Sequence, residues 1–434
     1  MRRAAWDLMA RFGHVRTSRT VAVVICLALL AAACGGADAG DDPTGPDTDA
    51  TTTEGDAAPE RADADLVIWA DEVRAEALAM TAAAFGEENG VTVVIQPVPQ
   101  DLQTGFITAN AAGAGPDVVV GGHDWIGNLV LNGSIDPVDL SAADQAKYVR
   151  IAIEGVTFNE RVYGLPLSFE SLALYRNTNF APAEPATVEE LVATGTSSGA
   201  ENPLCQQIGE LGDVDHMLPF YSSAGGYIFG TSGSGDYDPT DLGVGQAGSL
   251  TAATKISELG AAGVLNTSIT EDNSVALFAQ GRCAYLLADQ AALVDVRSSG
   301  IPYVLSPAPG FEGLAAAQPF TDVRTLFVAS KATSKELAAS FVLDAANTPE
   351  TLQALYEAEA LPPAMTDVLA AVAATDPDTG VFAAAAAAGQ IRPPIPQLAV
   401  AVDPLGKAQS AIVDGADPES TMVTAGATIA DNLR

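Results

Sequence analysis

The sequence predicts an α/β protein of two lobes, and three observations carry that prediction. Residues 65–122 alternate strand, helix, strand, helix and strand, the order that builds a parallel sheet covered by helices. The chain's 434 residues exceed what one core ordinarily organises, so two domains are expected. Apolar residues make up 48% of the chain, which supplies a sizeable core.

The elements follow in order. "DLVIWADE" (65–72) is a short apolar run ending in charge, the signature of a buried strand. Residues 74–89 carry Leu78, Ala82 and Phe85 on one helical face, and Gly90 stops that helix. "VTVVIQPV" is a second strand, "LQTGFITANAAGAGPD" a second helix and "DVVVGG" (117–122) a third strand. Ligands of such sheets bind at the carboxyl ends of the strands, which directs attention to Asp71, Glu72 and Arg74 after the first strand, and to His123, Asp124 and Trp125 after the third. "YGLPLSFESLALYRN" (163–177) reads as one long strand that alternates before Glu170 and is apolar after it. A carboxylate in such a strand needs a partner. Thr187 and Glu190 form a capping box, and residues 245–263 are a long helix ended by Gly260. "GTSGSGDYDP" is a turn-rich hairpin. "SVALFAQGRCAYLLADQAALVDV" is helix, turn, strand and helix, and a helix-rich tail closes the chain. There are no internal repeats.

The N-terminus stands apart. Five arginines within residues 1–19 precede the apolar run "TVAVVICLALLAAA", the pattern of a secretion signal over residues 1–33. The run is too short to span a membrane comfortably. Ala31-Ala32-Ala33-Cys34 resembles a lipoprotein box, so Cys34 is the expected lipidation site and the new N-terminus. Residues 34–64 are expected to form a lipidated, disordered acidic tether, because 35–64 lack Val, Ile, Leu, Met and aromatic residues. Removing residues 1–34 takes five arginines and Asp7 from totals of 20 basic and 55 acidic residues, leaving 15, 54 and a net charge of −39. That charge excludes nucleic acid and anionic lipid as partners, leaving the lipid anchor as the membrane contact. Cys205 and Cys283 remain, and two cysteines in an exported domain are expected to bridge. With His123 and His216 they give no metal-ligand spacing, and no metal or cofactor is expected. No nucleophile elbow, zinc-protease motif or phosphate loop is present.

Six segments, in order, carry a resemblance. They are "LVIWA", "AAGAGPDVVVGGHDWIGNLVLNGSI", "GLPLSFESLALYRNTNF", "LPFYSSAGGYIFG", "NSVALFAQGRCAYLL" and "GQIRPPIPQL". Residues 65–434 resemble an extracellular solute-binding protein of an ABC importer, most of all the maltose/maltodextrin-binding branch. The resemblance implies a periplasmic-binding-protein-like fold: two lobes, each a mixed sheet flanked by helices, joined by a hinge of several crossings that closes on a solute. It implies crossings near Ser168–Leu172, Phe320–Thr325 and Val372–Thr379. Lobe 1 is then 65–168 plus 325–372, and lobe 2 is 172–320 plus 379–434. It also implies a monomer that delivers its solute to membrane permease subunits.

Site residues follow by resemblance: Asp71, Glu72, Arg74, Gln103, Asp124, Trp125, Glu170, Asp213, Asp215, His216 and Tyr221. Asp289, Gln290, Asp322, Arg324 and Arg392 add polar groups at other expected site loops. Structural roles are the expectation for Asp117 (a turn or cap), Trp69 (core) and His123 (bonding its own loop). The chain also departs from the branch. Gly121 stands where the branch has Trp, and the aromatics after "AYLL" and "IPQ" are replaced by "ADQAAL" and "LAVAVDP". A site with fewer stacking rings and more charge suits a mono- or disaccharide, including one with a charged substituent, or a short oligosaccharide. A non-sugar polar solute, such as a phosphorylated polyol or oligopeptide, is the alternative, followed by a secreted glycoside hydrolase.

Overall fold

The computed structural model describes residues 59–434 apart from Ser234. The signal segment, Cys34 and the tether as far as residue 58 lie outside the described residues. Among the described residues no helix is long and apolar enough to cross a membrane.

The strands in chain order are β1 (Leu66–Ala70), β2 (Val93–Pro97), β3 (Val118–Gly122), β4 (Ile135–Asp136), β5 (Thr157–Phe158), β6 (Arg161–Val162), β7 (Gly164–Ser171), β8 (Ala173–Asn177), β9 (Asn202–Gln206), β10 (Phe229–Thr231), β11 (Tyr237–Leu242), β12 (Cys283–Ala288), β13 (Tyr303–Ser306), β14 (Phe320–Ala329) and β15 (Gln390–Ile391). Two mixed sheets with helices packed against them give the two-domain α/β fold. The first runs β15-β14-β3-β1-β2, with β4 and β7 also paired to β14; the second runs β13-β8-β12-β9. β1 lies parallel to β2 and β3, while β14 returns antiparallel to β3 and β7.

Strand alternation sorts the side chains to two faces. Leu66, Ile68 and Ala70 enter one core of the first sheet, and Val67 and Trp69 the other. Trp69 is therefore core, its Nε1–H donating to Gln96 Oε1 at 3.1 Å. Helix Glu72–Asn89 stops where expected, at Gly90, whose φ of 66° suits a residue without Cβ.

The 163–177 segment is two strands rather than one. β7 ends at Ser171 and β8 begins at Ala173, in different sheets. Phe169 belongs to the first core, and Leu172 and Leu174 to the second. β14 crosses similarly, from Phe320 in the second core to Val323 and Leu326 in the first.

Other expectations change. β15 pairs with the start of β14, so residues 390–391, expected in the second lobe, belong to the first sheet. Gly260 does not end its helix, which continues to Ala261; Gly263 adopts the left-handed conformation instead. A side chain at 260 would run into the backbone of Val413, so close helix packing explains that glycine. The end of the expected tether is docked on the body. Arg61 pairs with the fully buried Asp117 at 2.7 Å, and the Ala62 N–H donates to Gln96. Asp117 also accepts from the Val67 and Thr333 N–H groups, so it braces the first lobe rather than capping a helix.

Cys205 on β9 and Cys283 on β12 are joined by a disulfide between neighbouring strands, with Cα atoms 5.9 Å apart.

Candidate interlobe site

The carboxyl ends of β1 and β3 carry the first half of the site. Asp71 caps the helix after β1, accepting from the Arg74 N–H at 3.0 Å and from Arg74 Nη1 at 2.6 Å. Arg74 Nη2 donates to Glu359 at 2.7 Å. Burial, the largest influence on Arg74, pulls its pKa down, but Glu359 and Asp71 outweigh it and the guanidinium is held charged. Burial pushes the Glu359 carboxyl up, against Arg74.

After β3 the chain turns through His123-Asp124-Trp125. Gly121 and Gly122 make that turn useful. A side-chain carbon at 121 would overlap the Trp125 indole, and one at 122 the Asp124 carboxylate. The Trp125 indole thus occupies the space beside Gly121 that a side chain would fill. Asp71, Arg74, the 98–102 loop, Gly121, Gly122, Trp125 and Arg324 line a recess of ≈210 Å³.

His123 is buried and bonds away from its own loop, contrary to expectation. Its Nδ1 accepts the Val323 N–H of β14 at 3.0 Å, and Nε2 lies 3.1 Å from the Arg392 carbonyl. Only the neutral tautomer with hydrogen on Nε2 satisfies both contacts. Burial lowers its pKa, consistent with that form. His123, Asp124 and Asp322 lie close enough together to suggest a metal cluster. Both His123 nitrogens are engaged, however, and Asp322 is held by Arg392, which leaves the imidazole no lone pair for an ion.

The crossing strands carry the floor. Glu170 on β7 accepts from Arg324 Nη2 on β14 at 2.5 Å. Burial pushes the Glu170 pKa up, and Arg324 opposes the rise. Partial desolvation by the surrounding protein, with smaller opposing charges around it, also raises Asp124, whose side chain still meets solvent. Arg392, just beyond β15, donates to Asp322 through Nε at 2.7 Å and to Asp215 through Nη1 and Nη2 at 2.9 Å each. Its guanidinium lies 4.9 Å from the Phe320 ring centroid. Burial pushes Asp322 up, but Arg392 wins and its carboxyl titrates low.

The second lobe supplies Asp213, Asp215 and His216 at the start of helix Val214–Ser223. Asp213 caps that helix, accepting from the His216 N–H and facing His216 Nδ1 at 3.1 Å. Burial opposes the His216 proton, but Asp213 prevails and raises its pKa. Asp289 follows β12, its carboxylate accepting the Ala291 N–H. Gln290 is buried, with neither amide atom hydrogen-bonded to protein.

These contacts assemble one candidate site at the facing strand ends. The family model described as bacterial extracellular solute-binding protein matches residues 80–384. The chain belongs to that family. Relatives of this solute-binding protein include a galactooligosaccharide-binding protein of Bacillus subtilis, 24% identical over 69% of this chain and 72% of the relative. A maltodextrin-binding protein of the same organism is 27% identical over 67% of this chain and 71% of its own length. Among solved structures, a cyclo/maltodextrin-binding protein complexed with maltotetraose superposes with a TM-score of 0.78 at 23% identity, covering 86% of this chain and 98% of that one. That likeness concerns the fold.

Not every expected residue reaches the site of this solute-binding protein. Tyr221 is 0% exposed, packed in the second core with its hydroxyl donating to Ser249 at 2.8 Å, so it cannot meet a solute. Glu72 is exposed on the first turn of its helix, and Gln103 lies on the first turn of helix Leu102–Ala111; neither lines the recess. Glu359 and Gln206 escaped the sequence reading, which expects Ser168 only as part of a crossing. Glu359 Oε1, Ser168 Oγ and Gln206 Oε1 are buried without a protein partner, as are the Nε atoms of Arg74 and Arg324. Their positions in ordinary helix and strand text gave no signal.

Proposed function

We propose that this solute-binding protein captures a short, uncharged carbohydrate of one or two sugar units between its lobes. It closes by hinge motion and passes the sugar to the permease of an ABC importer, acting as a monomer held at the outer face of the cell membrane by lipidated Cys34. One observation carries the choice of a neutral solute. Arg74, Arg324 and Arg392, the arginines of the site, are each already held by a carboxylate. A phosphate or carboxylate would have to displace those partners and would meet Asp124, Asp215 and Asp289 as well. A hydroxyl-rich solute instead donates to carboxylates and pairs with an amide such as that of Gln290.

Trp125 offers a ring face beside the recess, and ≈210 Å³ suits a small ligand better than a long chain. The relatives named for galactooligosaccharide and maltodextrin support the sugar class. Binding without turnover is part of the proposal. Hydrolysis needs carboxylates free to exchange protons with substrate, and Glu170 and Asp322 are tied to arginines.

A thermal-shift screen over neutral sugars, sugar phosphates and peptides tests the reading. A ligand that binds only the folded state raises Tm. Neutral mono- or disaccharides should do so; a response confined to phosphates or peptides, or glycoside hydrolysis during incubation, rejects it.

A further inference from the structure

We infer that Arg392 is a stop across the cleft that sets the length of the carbohydrate. This rests on the receptor reading above. The order β15-β14-β3-β1-β2 gives the cleft two sides. The recess with Trp125 and Arg74 lies over the ends of β1, β2 and β3 and extends to Arg324 on β14. Arg392 leaves β15, at the opposite edge, and reaches from Asp322 on β14 to Asp215 at the start of helix Val214–Ser223 in the second lobe.

The arginine is braced on every side. Nε and Nη2 bond Asp322 at 2.7 and 3.1 Å, while Nη1 and Nη2 bond Asp215 at 2.9 Å each. Phe320 lies against its plane, and His123 holds its carbonyl. A planar guanidinium bound to two carboxylates through four of its five N–H groups has little freedom to step aside. A sugar chain growing from the Trp125 recess toward the β15 edge therefore meets a fixed charged bar. Arg392 directly precedes "PPIPQ", so the chain turns away immediately after it.

Replacing Arg392 alone would leave the half-buried Asp322 without its cation and risks unfolding. Two other variants avoid that. Asp215→Ala removes the brace in the second lobe and leaves the Arg392–Asp322 pair intact. Arg392→Gln combined with Asp322→Asn removes both charges. Each is titrated calorimetrically, beside the unaltered chain, with gluco- and galacto-oligosaccharides of one to four units. The unaltered chain should favour one or two units. Both variants should raise the ratio of four-unit to two-unit affinity by about tenfold or more. An unchanged ratio in variants that fold cooperatively overturns the stop and leaves the receptor reading standing. An unaltered chain that already prefers four units overturns it as well. Binding of no carbohydrate at all removes the receptor reading, and the stop with it.

Discussion

Glu170 on β7 and Arg324 on β14 form an ion pair at 2.5 Å, diagonally across two antiparallel strands. Glu170 lies opposite Asp322 and Arg324 opposite Ser168, so the arginine reaches back one pleat to its partner. The carboxylate that breaks an otherwise apolar strand has its counter-charge on the neighbouring crossing strand. The pair joins the two strands by which the chain passes between its cores, and Arg324 also faces the recess.

Arg324→Met should therefore strip Glu170 of its cation in a place that already pushes its pKa up. The expected cost is about 1–3 kcal/mol, below that of a fully buried pair because both side chains keep some solvent contact. Glu170→Gln, which retains an oxygen acceptor, should cost less. Urea unfolding of both variants checks the order, and equal stability of Arg324→Met and the unaltered chain would dismiss the pairing. Sugar affinity separates the roles: a loss in Glu170→Gln exceeding its stability effect marks a solute contact, and an unchanged affinity marks scaffold.

Gly121→Ala is expected to disturb binding without adding or removing charge. The new methyl overlaps the indole of Trp125, so the ring must leave its seat beside the recess. Affinity for the preferred sugar should fall by about tenfold, the scale of one lost aromatic contact. Trp125 and the buried Trp69 are the tryptophans of the chain beyond residue 34, so fluorescence follows the change. An emission spectrum and affinity both unchanged would show that the indole does not need the space.

His216 should make stability depend on pH. Asp213 raises its folded pKa above the ordinary 6.5, so the folded state binds the proton more tightly than the unfolded chain. The contribution is fully present below the unfolded value and is lost as pH rises through the folded one. His123 acts in the opposite sense. Its folded pKa is depressed by burial, so its contribution is lost as pH falls below 6.5. Comparing the unaltered chain with His216→Asn cancels the His123 effect. The stability advantage of the unaltered chain should be greatest near about pH 6 and shrink toward about pH 8. A difference constant over that range would mean that His216 does not hold its proton.

The β-α-β order of residues 65–122 is legible because each element carries its own period and its own stop, down to the left-handed Gly90. The importance of the strand ends is legible for the same reason, since strand order alone marks them. Pairing is not. Glu170 and Arg324 are 154 residues apart, and Arg74 and Glu359 are 285 apart, so no local pattern links them. The burial of Tyr221 likewise depends on Gly226, which lets the ring lie against its backbone, and on Ser249 in another helix. An aromatic in a site-like segment looks the same on paper whether it faces a cleft or a core. Arg392 carried a signal in being one of few basic residues. What it grips follows only from the way β15 returns to the first sheet.

The disulfide gives a prediction confined to the second lobe. Cys205 and Cys283 are separated by 78 residues and join neighbouring parallel strands, so reduction frees a long loop in the unfolded chain. Both are fully buried in a cluster with Tyr175, Phe278 and Phe382. The helix that carries Asp213, Asp215 and His216 packs instead into the separate cluster containing Val214 and Met217. Replacing both cysteines with alanine should cost about 2–4 kcal/mol in a denaturant melt. Sugar affinity should stay nearly constant, because the strand ends that bear the site remain paired. Burial should also make the native bond slow to react with a thiol reductant, and fast once the chain is unfolded. A matching drop in affinity would tie the bridge to the cleft itself; an unaltered melting midpoint would deny it a part in stability.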